Sequence, residues 1–121
     1  MSILKKILNA KEGLLDNYRE LVKPEDRTWM NWQWRTAMGL ERAIKAINML
    51  IPHEEEFLKL NEGREICSIG LHTTGRGEYI EAETCDNKGV FNYSYYMVND
   101  GRLTVAFDGG NCESAFKEVA K

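Results

Sequence analysis

The feature that most constrains this chain is a change in the spacing of its apolar residues at Gly63. Before Gly63, apolar residues recur every three or four positions, the spacing that gives an α-helix one apolar face. After Gly63 they alternate with polar residues, as in a β-strand with one buried face. The sequence therefore predicts an α+β fold, with helices in the first part of the chain and strands in the second.

Three helices are predicted before Gly63. The first covers about residues 2–22 and the short third helix about residues 53–61. The second runs from Pro24 to Ile51, because proline is tolerated in the first turn of a helix and Pro52 stops it. The first two helices are expected to form a helical hairpin.

Four strands are predicted after Gly63, at about residues 64–72, 78–85, 90–98 and 102–107. The segments between them, TTGRG, DNKG and NDG, have the composition of hairpin turns, in which glycine or asparagine adopts positive φ. Such short connections make consecutive strands antiparallel neighbours, so we expect a four-stranded meander. A C-terminal helix is predicted at about residues 111–120, and residues 1–121 are predicted to be a single domain.

This order of elements resembles the cystatin-like and nuclear-transport-factor-like folds, in which helices precede a curved antiparallel sheet and some members enclose a ligand pocket. The resemblance is one of element order only, since no motif of either group is matched residue by residue and the sheet here is smaller. It therefore implies a general shape and no function.

Composition argues against several classes of function. The formal net charge is −3 with acidic and basic residues interspersed, which lacks the basic footprint of a general nucleic-acid-binding protein. No apolar run is long enough to span a membrane, and the N-terminal apolar block is too short for a signal peptide. Three widely spaced cysteines, Cys67, Cys85 and Cys112, are expected to be reduced thiols in a cytoplasmic protein.

The sequence contains no convincing motif for catalysis, metal binding or cofactor binding. Cys67 and His72 lie five positions apart in one predicted strand and so point to opposite faces unless a bulge intervenes, and closely spaced zinc-ligand pairs are absent. Cys85 could approach His72 across the first hairpin, but buried, inert cysteine is the more frequent explanation. Glu81 and Glu83 alternate with apolar residues as on a solvated strand face, without a partner that would make an acid–base pair. We therefore predict no metal and no cofactor, and favour a role other than catalysis.

The segment WMNWQWR, residues 29–35, holds all three tryptophans. On a helical wheel for residues 24–51, Trp29 and Trp32 fall in the apolar half and are predicted to be core residues. That half also contains Ala37, Ala43, Ala46, Ile47 and Leu50. Trp34 falls in the charged half, where the predicted partner-binding residues are Met30, Trp34, Arg35, Met38, Arg42 and Lys45. Clusters of tryptophan, methionine and arginine are typical of interface hot spots. The alternative, that another element covers Trp34, stays open.

The sequence thus predicts a small cytoplasmic protein-binding module that acts as an adaptor, regulator or inhibitor, or that forms a homodimer, through this helix face. A second hypothesis is a small-ligand or catalytic cavity between helices and sheet, lined by Tyr93, Tyr95, His72 and Trp32. A third is binding of single-stranded nucleic acid, with the rings of FNYSYY as a stacking platform, which the acidic total disfavours. Alternation places Tyr93 and Tyr95 on one face of that strand, the face expected to pack on the helices.

Overall fold

The computed structural model describes residues 2–75 and 77–108. The elements are α1 (Ile3–Leu21), α2 (Trp32–Leu50), α3 (Glu54–Leu60), β1 (Glu65–Thr74), β2 (Gly77–Cys85), β3 (Phe91–Asn99) and β4 (Arg102–Asp108). The predicted α+β class, with helices followed by a four-stranded antiparallel sheet, is confirmed. The helix predicted at residues 111–120 lies outside the described residues.

The chain divides into two compact units, Met1–Ile51 and Pro52–Lys121. The first contains α1 and α2, which contact each other, and the second contains α3 and the sheet. The single domain predicted for residues 1–121 stays a prediction.

In the first unit, α1 begins where the Ser2 hydroxyl accepts a hydrogen bond from the Lys5 amide at 3.0 Å. Capping of this kind satisfies one of the amides that lack a partner inside the helix. The buried side chains of α2 all belong to the apolar half of the predicted wheel, and they are Ala37, Ala43, Ala46, Ile47 and Leu50. From Ala37 onward the wheel therefore describes the helix correctly.

The second helix begins at Trp32 and not at Pro24, which corrects the prediction. Pro24–Asp26 form a separate 3-10 turn, closed by a hydrogen bond from the Arg27 amide to the Pro24 carbonyl. Asn31 is extended, with φ −92° and ψ 116°, and its side-chain oxygen accepts a hydrogen bond from the Trp34 amide at 3.0 Å. A proline followed by acidic residues fits an isolated turn as well as a helix start, and the asparagine cap supplies the true start.

In the second unit the strands are hydrogen-bonded in the order β1-β2-β3-β4, each antiparallel to the next. One face of the sheet carries a row of buried side chains, which comprises Ile69, Leu71, Ile80, Ala82, Thr84, Ser94, Tyr96 and Leu103. These positions pair across the strands or alternate along them, so they share one face of the sheet.

The helix α3 contacts this buried face at Tyr96. The rings of Phe57 and Tyr96 meet edge to face, with centroids 5.4 Å apart. The buried Asn61 amide donates hydrogen bonds to the Tyr96 hydroxyl and to the Phe57 carbonyl, both at 2.9 Å. We expected the face that bears Tyr93 and Tyr95 to pack on the helices. The helix α3 contacts the opposite face, where the residues of β2 that pair with Tyr96 and Ser94 are apolar. Tyr79 and Tyr95, on the expected face, are also buried.

Candidate functional site

Trp29 and Trp32 lie in environments opposite to those predicted, and Trp34 fits the alternative that another part of the chain covers it. Trp29 and Trp32 are 68% and 61% exposed, whereas Trp34 is partly buried. The prediction that Trp29 and Trp32 are core residues is therefore wrong. Trp29 precedes α2, so a helical wheel does not apply to it. Trp32 is the first residue of α2, and helical side chains lean toward the N-terminus, so its ring projects past the end of the helix.

Arg27 explains why Trp34 is covered. Its guanidinium carbon lies 5.1 Å from the centroid of the Trp34 ring, within the range of a cation–π contact. The same guanidinium group donates hydrogen bonds to the carbonyls of Val22, at 3.3 Å, and Arg19, at 2.9 Å. Those carbonyls lie at the C-terminal end of α1, where carbonyls lack partners inside the helix. Arg27 therefore joins the end of α1 to the first turn of α2, with Trp34 in the contact.

The residues predicted to bind a partner divide between two places. Met30 lies in the loop before α2 and is 92% exposed. The others lie on α2, where Arg35, Arg42 and Lys45 are exposed and Trp34 and Met38 are partly buried. The most exposed apolar side chains of this region are thus Trp29, Met30 and Trp32, which we call the loop patch.

Hydrogen bonds within the loop hold the backbone that carries the loop patch. The Met30 amide donates to the Thr28 hydroxyl at 3.3 Å, and the Asn31 amide donates to the Thr28 carbonyl at 3.1 Å. The Thr28 amide in turn donates to the Asp26 carbonyl at 2.9 Å. A shallow depression beside Met30, of about 230 Å³, is lined by Glu25, Asp26, Thr28, Met30 and Asn31. The loop patch is therefore presented on a backbone with a defined course, beside two carboxylates.

A group of polar side chains on the sheet, which we call the His72 cluster, consists of His72, Glu81 and Tyr95. Glu81 pairs with Tyr95 across β2 and β3. The Glu81 Oε2 atom is hydrogen-bonded to His72 Nε2 and accepts a hydrogen bond from the Tyr95 hydroxyl at 3.4 Å. The side chains of Glu81 and His72 are 19% and 34% exposed. We predicted no partner that would make an acid–base pair with Glu81, but the strand register places His72 diagonally across from it, within hydrogen-bonding contact.

Of the four residues predicted to line a ligand cavity, two lie close together. His72 and Tyr95 share the Glu81 carboxylate, and their ring centroids are 6.1 Å apart. Tyr93 hydrogen-bonds to Glu83 instead, and this bond, strengthened by the charge of the carboxylate, raises the pKa of the Tyr93 phenol above its ordinary value. Trp32 belongs to the other compact unit.

Tyr95 and Tyr96 are 1% and 2% exposed, so two rings of the proposed nucleic-acid platform are not accessible to bases. The described residues contain no group of three histidine, cysteine or acidic side chains that could hold a metal ion. None of the helices in residues 2–75 and 77–108 is long and apolar enough to cross a membrane. Cys67 is exposed, contrary to the expectation of buried cysteines, and Cys112 lies outside the described residues.

Comparisons of the chain with protein-family models, with curated proteins and with solved structures found no match. The function is therefore inferred from the geometry of the described residues.

Acrylamide quenching of fluorescence tests the assignment of the three rings. A Trp29→Phe/Trp32→Phe variant retains only Trp34, and we expect blue-shifted emission with a quenching constant about half that of the wild type, because Trp34 is partly buried and Arg27 lies over its ring. The matched Trp34→Phe variant retains the two exposed rings and should be quenched at least as strongly as the wild type. Stronger quenching of Trp34 than of the other two rings would contradict the assignment.

Proposed function

We propose that this chain is a protein-binding module and that the loop patch is the centre of its contact surface. The observation that supports this proposal is the exposure of three large apolar side chains within four consecutive positions, between 61% and 92%. Removing one such side chain from water is favourable by about 1.5–3 kcal/mol. Folding of this chain does not bury these three side chains, so a partner that covers them would gain that free energy on binding. Contiguous exposed apolar surface of this kind marks interaction sites.

The composition and the setting of the loop patch both suit a protein partner. Tryptophan is enriched among the residues that dominate binding energies, and methionine adapts its shape to an irregular partner surface. The hydrogen bonds of Thr28 and Asn31 fix the loop before binding, which lowers the conformational entropy lost on association. Glu25, Asp26 and Arg35, all exposed, supply charges around the apolar centre, where they contribute to partner choice.

The roles within the predicted surface change accordingly. Trp34, which we expected to enter a partner pocket, is partly buried and contacts Arg27 instead. Met30, which we expected to pack around Trp34, moves to the centre of the contact surface, and Arg35 keeps its predicted role at the rim. Partner contacts by Met38, Arg42 and Lys45 stay predictions, as do the cytoplasmic location and the choice between a homodimer and a different partner.

Alanine substitution should separate binding from stability. We expect Trp29→Ala/Trp32→Ala to abolish partner binding or self-association while the free energy of unfolding changes by less than about 0.5 kcal/mol, because both rings are exposed. Trp34→Ala should cost about 2 kcal/mol, because it removes a partly buried ring and the contact with Arg27. Urea unfolding measures stability, and sedimentation equilibrium measures self-association.

Site-specific photo-crosslinking identifies the partner. A benzoylphenylalanine at Met30 should give one dominant adduct, either with a second copy of the chain or with another protein, in cells of the source organism. The matched control is the same probe at Phe91, which is 59% exposed on β3. Equal labelling from both positions, or no specific adduct from Met30, would refute the proposal.

A second candidate function, proton transfer to a small bound substrate, is favoured by the His72 cluster. A carboxylate that holds one imidazole nitrogen fixes the orientation and tautomer of the ring, as in many sites of acid–base catalysis. Tyr95 holds Glu81 in turn, and its burial fixes the carboxylate from the other side.

The two histidines of the chain provide a matched test of this second candidate. If His72 is reactive, the wild type and His53→Gln should hydrolyse p-nitrophenyl acetate faster than an equal concentration of free imidazole, and His72→Gln should lose that excess. Glu81→Gln should lower the rate as well, because the ring is no longer oriented. Equal rates for His53→Gln and His72→Gln would assign the His72 cluster a structural role alone.

A further inference from the structure

The charges beside the loop patch indicate the kind of protein partner it suits, an inference that rests on the proposed function. The shallow depression next to the loop patch is lined by Glu25, Asp26, Thr28, Met30 and Asn31. Two of these residues are acidic, and none of the described residues in the lining is basic. An acidic depression therefore adjoins the most exposed apolar side chain of the loop patch, that of Met30.

The two carboxylates of the depression have no charged partner of their own. Glu25 and Asp26 are exposed, and within residues 2–75 and 77–108 neither side chain forms an ion pair. The basic residue that follows them, Arg27, directs its guanidinium group to two carbonyls at the end of α1 and to the ring of Trp34. The negative charge of the depression is thus available to a partner.

This charge disfavours several occupants of the loop patch. An acidic protein segment or a nucleic-acid phosphate would be repelled by both carboxylates. In a symmetric contact of two copies centred on Met30, the two depressions would face each other and their carboxylates would repel as well. Lys23 and Arg35 are exposed nearby in the sequence, but neither lines the depression. A basic side chain on a different protein complements the depression best.

Arginine suits this place better than lysine. A guanidinium group can form two parallel hydrogen bonds with a carboxylate and can also stack on a tryptophan ring. Within this chain, Arg27 combines the same two types of contact, since its guanidinium carbon lies 5.1 Å from the Trp34 centroid while the group donates to carbonyl oxygens. Trp29 and Trp32 are 68% and 61% exposed, so their rings are available for such a contact with a partner.

We propose that the loop patch binds a protein segment in which one arginine is flanked by apolar residues. The arginine enters the depression and pairs with Glu25 and Asp26, while its apolar neighbours cover Met30 and the rings of Trp29 and Trp32. The apolar contacts supply most of the affinity. Ion pairs at an exposed site contribute little to affinity, so the two carboxylates act mainly in the choice of partner.

Titration of the full chain with matched peptides tests the proposal. The peptides share the sequence Gly-Ser-Leu-Leu-Xaa-Leu-Leu-Ser-Gly, with arginine, lysine, glutamine or glutamate at Xaa. Binding is followed in ¹H–¹⁵N spectra, where each tryptophan indole N–H gives its own resonance. We expect the arginine peptide to shift the resonances of Trp29 and Trp32, with an affinity about fivefold above that of the glutamine peptide at low ionic strength. The lysine peptide should lie between these two, and the glutamate peptide should bind most weakly.

Two variants with the same loss of negative charge separate a local effect from a general one. Glu25→Gln/Asp26→Asn should bind the arginine and glutamine peptides equally, because the charge beside Met30 is gone. Glu12→Gln/Asp16→Asn, altered in the middle of α1, should keep the preference for arginine. An arginine preference that survives in the first variant, or is lost in the second, would overturn the proposal.

The remaining outcomes distinguish this inference from the proposed function. Equal binding of all four peptides at the two exposed rings would leave an apolar contact surface and would overturn the arginine assignment alone. Resonances of those rings that shift with protein concentration, before any peptide is added, would assign the loop patch to a second copy of the chain. No shift with any peptide would also overturn the arginine assignment, whereas the proposed function is judged by the adduct formed at Met30.

Discussion

The hydrogen bond from the Trp34 amide to the side chain of Asn31 fixes where α2 begins, and the arrangement of the surrounding surface depends on it. An asparagine cap of this kind contributes about 1 kcal/mol, enough to favour one helix start over a competing one several residues earlier. With the start at Trp32, the preceding residues form a loop and a separate turn. Trp29 and Met30 are then held in solvent, while Trp34 enters the first turn beside Arg27.

Arg27 is the second residue on which the arrangement of the three tryptophans depends. One guanidinium group binds two carbonyls at the end of α1 and lies over the ring of Trp34, so it shields one tryptophan while leaving the other two exposed. The loop patch is thus adjacent in sequence to Arg27 and Trp34, which contact each other and have a structural role. A binding surface built in this way can lose its exposed rings without losing the helix pair beneath it.

The class of each element was predictable, because the period of the apolar residues and the turn segments are local signals. The strand order followed from the short turns, and Ala37 to Leu50 fell on the buried side of the wheel as expected. Trp29 was misassigned because the wrong helix start gave it a helical angle it does not have. Trp32 was misassigned because it is the first residue of α2, where the burial of a helix face need not extend. The contact of His72 with Glu81 could not be predicted from alternation alone, since it depends on the register between two strands. The register shift between Ile66 and Ser68 likewise leaves no mark in the spacing of apolar residues.

The ¹³Cα secondary chemical shifts of the segment from Pro24 to Trp34 test this account most directly. A helix start at Trp32 predicts non-helical shifts at Trp29, Met30 and Asn31, followed by helical shifts from Trp32 onward, and fraying of the first turn in an Asn31→Ala variant. Continuous helical shifts from Pro24 through Trp34 would contradict the account, because Trp29 would then belong to the helix and the loop patch would not exist.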